Sequence, residues 1–166
     1  MALLCGQDLI AHARLGVLQP RRVKLSEVAL GLFLSGGASA KNLPLLREHG
    51  IAAIVNVGGG KCHFANAIVY NKIGLLDKSD ANILPHLHNA CDFIHNQLQS
   101  SANVLVHCMG GFSRSPTVVV AYLVKYRQLS VDDALTVCRL AHPRANPRPN
   151  FIAQLHDFQT QCASQA

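Results

Sequence analysis

The chain has 166 residues, 49% of them hydrophobic and 14% charged, so it can fill one domain's core, leaves little room for a second, and is not intrinsically disordered. Its formal net charge of +6 suits an anionic partner, yet no block of consecutive basic residues marks a nucleic-acid arm, so no nucleic acid is expected. The six cysteines are widely spaced and form no Cys-x-x-Cys pair, which argues against a secreted disulfide framework and a zinc site; a reducing compartment, cytoplasmic or nuclear, is expected, with no metal and no cofactor.

Leu3, Leu4, Ile10, Ala13 and Val17 share one side of an amphipathic helix over 1–19, and Pro20-Arg21-Arg22 separates it from the rest. Residues 1–22 therefore read as a helical extension and residues 23–166 as the main domain. Val28–Leu34 reads as a strand ending at Gly36-Gly37, and Asn42–His49 as a helix stopped by Gly50. Ile51–Val57 is a β-rich run closed by Gly58-Gly59-Gly60, and Ala67–Leu76 reads as a further strand. A polar loop, Asp77–Asn82, precedes a helix over Ile83–Leu98 with apolar positions at Leu84, Leu87, Cys91, Ile94 and Leu98. Val104-Leu105-Val106 is a short buried strand, and Pro116–Arg127 is a helix. Ser130 and Asp133 form a capping pair for another helix, and the Pro/Arg loop His142–Pro149 leads to a last one over Phe151–Gln161. The apolar run Val118–Val124 is too short to cross a bilayer, so no membrane span is expected. Strands alternating with helices predict an α/β domain: a central, mostly parallel sheet of about five strands with helices on both sides.

The informative segment is Asn103–Leu123, where an apolar strand delivers His107 and Cys108 to a sheet edge. Gly110 and Gly111 follow, and Ser115-Pro116 reads as the N-cap and first residue of the next helix. A glycine-bearing loop at a helix N-terminus can turn successive N–H groups inward as an anion nest. The same setting suits a cysteine thiolate. Arg114, six residues after Cys108, can fork onto two phosphoryl oxygens from the far lip of the loop. Spacing alone is a weak signal, since Cys138 and Arg144 share it; that pair has no preceding strand and no intervening glycine, and Cys138 reads as a core residue of a helix face.

The segment HCMGGFSRSPT resembles the His-Cys-x-x-Gly-x-x-Arg-Ser/Thr signature of protein tyrosine phosphatases. Ser-Arg-Ser followed by an apolar helix with Ala121-Tyr122-Leu123 is similar to the dual-specificity branch, and Val28–Gly37, Asn56, Pro149-Asn150-Phe151 and Gln154-Leu155 follow in family-like order over about residues 24–160. The chain resembles the small, atypical dual-specificity phosphatases. That resemblance implies hydrolysis of phosphotyrosine and phosphoserine/phosphothreonine in proteins through a phosphocysteine intermediate. Cys108 would attack phosphorus. Arg114 and the backbone N–H groups of Met109, Gly110, Gly111, Phe112, Ser113 and Arg114 would hold the phosphoryl oxygens. Ser115 would hydrogen-bond the sulfur as it leaves, and His107 would orient the loop and help keep the cysteine ionised.

The family also supplies an aspartate about thirty residues before the cysteine as general acid. Both Asp77 and Asp80 lie on a suitable loop; Asp77, directly after Ile73–Leu76, matches that placement better, and Asp80 suits a turn or cap. Asp92 reads as a solvated helix-face residue. Met109 and Phe112 make the loop's variable positions apolar, which weakens a phosphoinositide reading, and Phe112 is placed to line the mouth. Arg144 and Arg148 would lie beside the mouth, contacting a second phosphate or acidic substrate residues or forming a solvated basic loop. Asn150 would brace the phosphate loop or serve a turn. The alternatives are a phosphatase of lipid, RNA 5′ ends or carbohydrate, and a phosphobinding scaffold with little turnover. The sequence sets no oligomeric state.

Overall fold

Consecutive buried apolar residues form a strand only where both faces of a sheet are covered. Val104, Leu105 and Val106 meet that condition at the centre of β5 (Asn103–Cys108) in the computed structural model, which describes residues 24–164. The helix expected over 1–19, and with it the extension over 1–22, lies outside the described residues.

Five strands stand in the order β1-β2-β5-β3-β4: β1 (Ser26–Ala29), β2 (Leu32–Gly36), β3 (Ile51–Val57), β4 (Val69–Ile73) and β5. Every neighbouring pair is parallel except β1 with β2, in line with the expected mostly parallel sheet of about five strands. The single strand expected over Val28–Leu34 is instead a hairpin. Leu30 is apolar yet 63% exposed, and Gly31 turns the chain with φ +74°, a left-handed value that glycine adopts without strain. An apolar residue at the tip hid the turn in a continuous hydrophobic run. β4 is also shorter than the expected Ala67–Leu76.

Alternate residues of the strands serve two cores. Leu32, Leu34, Val55, Val57, Val104 and Val106 face one cluster, and Phe33, Ile54 and Leu105 face the other. The first is covered by α3 (Leu84–Gln99), α4 (Arg114–Arg127), α5 (Val131–Ala141) and α6 (Pro149–Ser164), and the second by the short α1 (Gly37–Ala40) and α2 (Leu43–Glu48). Asn42 caps α2 by accepting from Leu45 N (3.2 Å), and Ser130 caps α5 by accepting from Asp133 N (3.1 Å). Every residue of α4 from Arg114 to Val124 is buried, so α4 is the central helix rather than an amphipathic cover. Each fully buried valine or leucine there contributes about 1.5–3 kcal/mol of transfer free energy, which anchors the helix behind the Cys108 loop.

Asp92, expected on a solvated face, ties α3 to α4 by accepting from Lys125 Nζ and from Tyr126 Oη (2.7 Å). Among the described residues, no helix is long and apolar enough to cross a membrane.

Candidate active site

Parallel strands bring ligands to their carboxyl ends. Here β2, β5 and β3 end side by side, with Gly36 registered on Cys108 and Asn56 on His107. The loop Cys108–Arg114 leaves the central strand and runs into α4. Gly111 takes φ +74°, and a Cβ on it would stand 2.9 Å from Gly36 N and 3.0 Å from Ser35 C, so only glycine fits this close approach. The neighbouring backbone pins the loop's edge: Gly37 N donates to Met109 O (2.9 Å), and Asn146 N to Phe112 O (2.6 Å).

Cys108 is 4% exposed, and its sulfur accepts from Gly111 N (3.3 Å) and Ser115 Oγ (3.1 Å). The helix starts at Arg114 with Ser113 as N-cap, which corrects the expected cap at Ser115. Ser115 lies inside the first turn, and its hydroxyl goes to the sulfur instead of a backbone amide. Arg114 is 7% exposed; its Nη1 donates to Leu75 O (2.8 Å), and its buried Nε has no hydrogen-bond partner. The guanidinium presses on Gly58, where a Cβ would fall 2.8 Å from Nη1.

His107 Nδ1 donates to the Cys108 carbonyl (3.3 Å). Burial pushes its pKa below the usual imidazole value of 6.5, aided by His63 and Lys41, against the raising effect of the bond to Cys108. The bond to the Cys108 carbonyl fits the orienting role expected of His107.

Asp77 Oδ1 accepts from Ser113 Oγ (2.9 Å) and Arg148 Nε (2.7 Å), which docks its loop against the Cys108 loop. Asp80 is exposed and makes no hydrogen bond or ion pair among the described residues, and it does not cap α3, whose N-cap is Ile83. Gln154 supplies that cap from a distance: its Oε1 accepts from Ile83 N (2.7 Å) and Leu84 N (3.0 Å), and its Nε2 donates to Ala81 O (3.0 Å). Asn150 braces the Asp77 loop rather than the Cys108 loop, with Nδ2 donating to Lys78 O (3.3 Å) and Ala81 O (3.0 Å). The reason is that α6 begins at Pro149, within the expected loop, so Asn150 sits in its first turn. Arg148 also donates its backbone N–H to Ser113 Oγ (3.3 Å), and the Arg144 guanidinium lies 4.0 Å above the Phe112 ring.

Clefts open on both sides of the loop. One, of about 700 Å³, is lined by Asp77, Phe112, Ser113, Arg139 and Arg148. The other, of about 580 Å³, holds Cys108, Met109 and Arg114 together with Lys41, Lys61, His63 and Tyr70, side chains that sequence reading did not single out. Their signal was positional: Lys41, Lys61 and His63 follow the carboxyl ends of β2 and β3, Tyr70 lies in β4 beside β3, and only the strand order shows that β2 and β3 flank β5. Cys138, by contrast, is fully buried in α5, and burial raises its pKa to about 12. All five described cysteines are free, and no cluster of His, Cys, Asp or Glu among the described residues could hold a metal ion.

A chain with a partnered sulfur and a buried guanidinium on one glycine-bearing loop, and a carboxylate docked on that loop from another, has relatives among known proteins. The dual specificity phosphatase catalytic domain matches residues 32–161. Dual specificity protein phosphatase 1B of Arabidopsis thaliana is 35% identical over 136 residues, 81% of each chain. Dual specificity protein phosphatase 19 of Mus musculus is 32% identical over 158 residues, 93% of this chain and 67% of that one. The crystal structure of human DUSP28 superposes with a TM-score of 0.82 at 28% identity, covering 86% of this chain and all of that one (100%). The chain therefore belongs to the dual specificity phosphatase family, and it is a cysteine-dependent phosphatase.

Proposed function

We propose that the protein hydrolyses phosphotyrosine and phosphoserine/phosphothreonine in proteins through a phosphocysteine intermediate. The observation that carries this reading is the Cys108 sulfur, held by Gly111 N and Ser115 Oγ on the loop to which Asp77 is docked.

The phosphoryl group enters the Cys108–Arg114 loop, where the loop's amides and the Arg114 guanidinium take its oxygens. The partnerless Nε of Arg114 supplies a donor that the protein itself does not use. The Cys108 thiolate attacks phosphorus; the S–P bond forms as the bond to the substrate oxygen breaks. Asp77 gives its proton to that oxygen, so the product leaves as an alcohol or phenol. Its Oδ1 already takes both hydrogen bonds, which leaves Oδ2 to carry the proton. Water then attacks the phosphocysteine, Asp77 takes back a proton, and the S–P bond breaks to release inorganic phosphate. Ser115 Oγ, 3.1 Å from the sulfur, stabilises the departing thiolate. His107 holds the Cys108 carbonyl in place. Dephosphorylation of proteins is the ground for the signalling role in this reading, and the five free cysteines among the described residues are in keeping with a reducing compartment, cytoplasmic or nuclear.

The test is hydrolysis of para-nitrophenyl phosphate and of matched phosphotyrosine and phosphothreonine peptides by wild type, Cys108→Ser and Asp77→Asn. Turnover of both peptides, lost in Cys108→Ser, is expected. Undiminished turnover in Cys108→Ser overturns the mechanism, and turnover of the aryl phosphate without either peptide overturns the protein substrate.

A further inference from the structure

The two clefts beside the Cys108 loop are both basic, but their cations differ in what they are free to do. On the arginine side every guanidinium is engaged. Arg148 Nε bonds Asp77 (2.7 Å), Arg144 lies over the Phe112 ring (4.0 Å), and Arg139 Nε donates to Ala145 O (3.2 Å). On the other side Lys41 and Lys61 are exposed and line the cleft that contains Cys108, and their side chains make no hydrogen bond or ion pair among the described residues. His63 lines the same cleft, and no aspartate or glutamate does.

Topology explains this grouping. Lys41 follows α1 from the end of β2, and Lys61 and His63 follow Gly58 from the end of β3. Those two strands flank β5, so the cations arrive from both sides of Cys108. The segment after β3 is held in place: Asn56, itself buried, donates from Nδ2 to Gly60 O (3.0 Å). A cleft lined by one sign of charge focuses its field on whatever lies within it.

We propose that Lys41, Lys61 and His63 form a second anion subsite, so that the preferred substrate is a peptide whose phosphorylated residue has an acidic or second phosphorylated side chain nearby. This rests on dephosphorylation at Cys108. The phosphoryl group undergoing reaction occupies the loop, and the second anion lies against the lysines. A peptide, rather than a polyphosphorylated small molecule, suits the wall between them: Met109, 83% exposed, and Tyr70 offer an apolar surface to the connecting chain. The subsite selects substrates and takes no part in the chemistry, so its effect falls on KM more than kcat.

The experiment compares phosphotyrosine peptides that differ only in their flanks: neutral, acidic, or carrying a second phosphate. Wild type is expected to favour the acidic and doubly phosphorylated peptides by about tenfold in kcat/KM, mostly through KM, with the advantage shrinking as salt rises. In Lys41→Ala/Lys61→Ala the ratio between acidic and neutral peptides falls towards one, and in Lys41→Arg/Lys61→Arg it is retained. Circular dichroism and melting temperature monitor the fold of both variants. Equal use of neutral and acidic peptides by wild type overturns the proposal, as does an advantage that survives the double alanine change. Preference for an inositol polyphosphate over every peptide overturns the choice of ligand. Turnover that survives Cys108→Ser overturns instead the reading on which the subsite rests, so the two failures are distinguishable.

Discussion

Cys108 and Cys138 each have an arginine six residues on, and both are buried, at 4% and 0% exposure. They differ in what surrounds the sulfur. Cys108 ends the central strand and accepts from a loop amide and a hydroxyl, and its arginine returns over the same loop to Leu75 O. Cys138 lies mid-helix against apolar neighbours that push its pKa to about 12, and its Arg144 stacks on Phe112. Burial is shared; what differs is whether polar groups converge on the sulfur. A cysteine becomes a candidate nucleophile through its donors, and a spacing pattern carries chemistry only where strand, turn and helix bring its two ends together.

The sharpest way to break this comparison is to exchange the sulfurs' fates. Cys108→Ser is expected to leave no detectable turnover, whereas Cys138→Ala keeps turnover and costs about 1 kcal/mol of stability, read by urea unfolding. Activity lost with Cys138 and kept without Cys108 reverses the assignment.

Next in size are the groups that converge on the Cys108 loop. Arg114→Ala should lower kcat by roughly 10²–10³-fold, and Asp77→Asn by about 10²-fold on a phosphopeptide. Asp80→Asn, on the same loop and without a partner among the described residues, should leave kcat unchanged. Equal losses at the two aspartates would show that the loop, rather than the docked carboxylate, matters.

Ser115→Ala sharpens the account further. It removes a single hydrogen bond of about 1 kcal/mol, so hydrolysis of the intermediate slows by roughly fivefold to tenfold. Rapid-mixing measurements should then show a burst of phenol release before the steady state. A steady state with no burst and an unchanged rate contradicts the role given to Ser115.

The smallest effect is on stability. Burial holds His107 and His142 below the ordinary imidazole value of 6.5, and in the unfolded chain both regain it. Between the folded and unfolded values the unfolded chain binds more protons, so the stability present above pH 6.5 is lost as pH falls towards the folded values. The melting temperature should drop on acidification through this window, and substitution of His142 by Gln should reduce that drop. An unchanged melting temperature through the window contradicts it.

The strand, loop and helix around Cys108 were legible in the sequence because glycine, serine and proline punctuate that segment. The mostly parallel sheet followed from strands alternating with helices. The hairpin tip at Leu30-Gly31 was not legible, because an exposed leucine looks like a buried one in a pattern of apolar residues. Ser115 was read both as a cap, from its place before Pro116, and as the sulfur donor, from the family resemblance, because both roles take the same residue type; the start of α4 at Arg114 removes the first and leaves the second. Asn150 and Gln154 reach the Asp77 loop across about seventy residues of chain, beyond any local pattern. Lys41 and Lys61 meet only through the strand order.

The central claim is that phosphorus passes through the Cys108 sulfur. The most direct measurement is mass spectrometry on the Ser115→Ala variant, acid-quenched during turnover of an aryl phosphate. A phosphoryl group on the peptide containing Cys108, none on the peptide containing Cys138, and none at all when Cys108 is also changed to serine is the expected result. A phosphoryl group on another residue, or steady turnover with no phosphoenzyme, would contradict it.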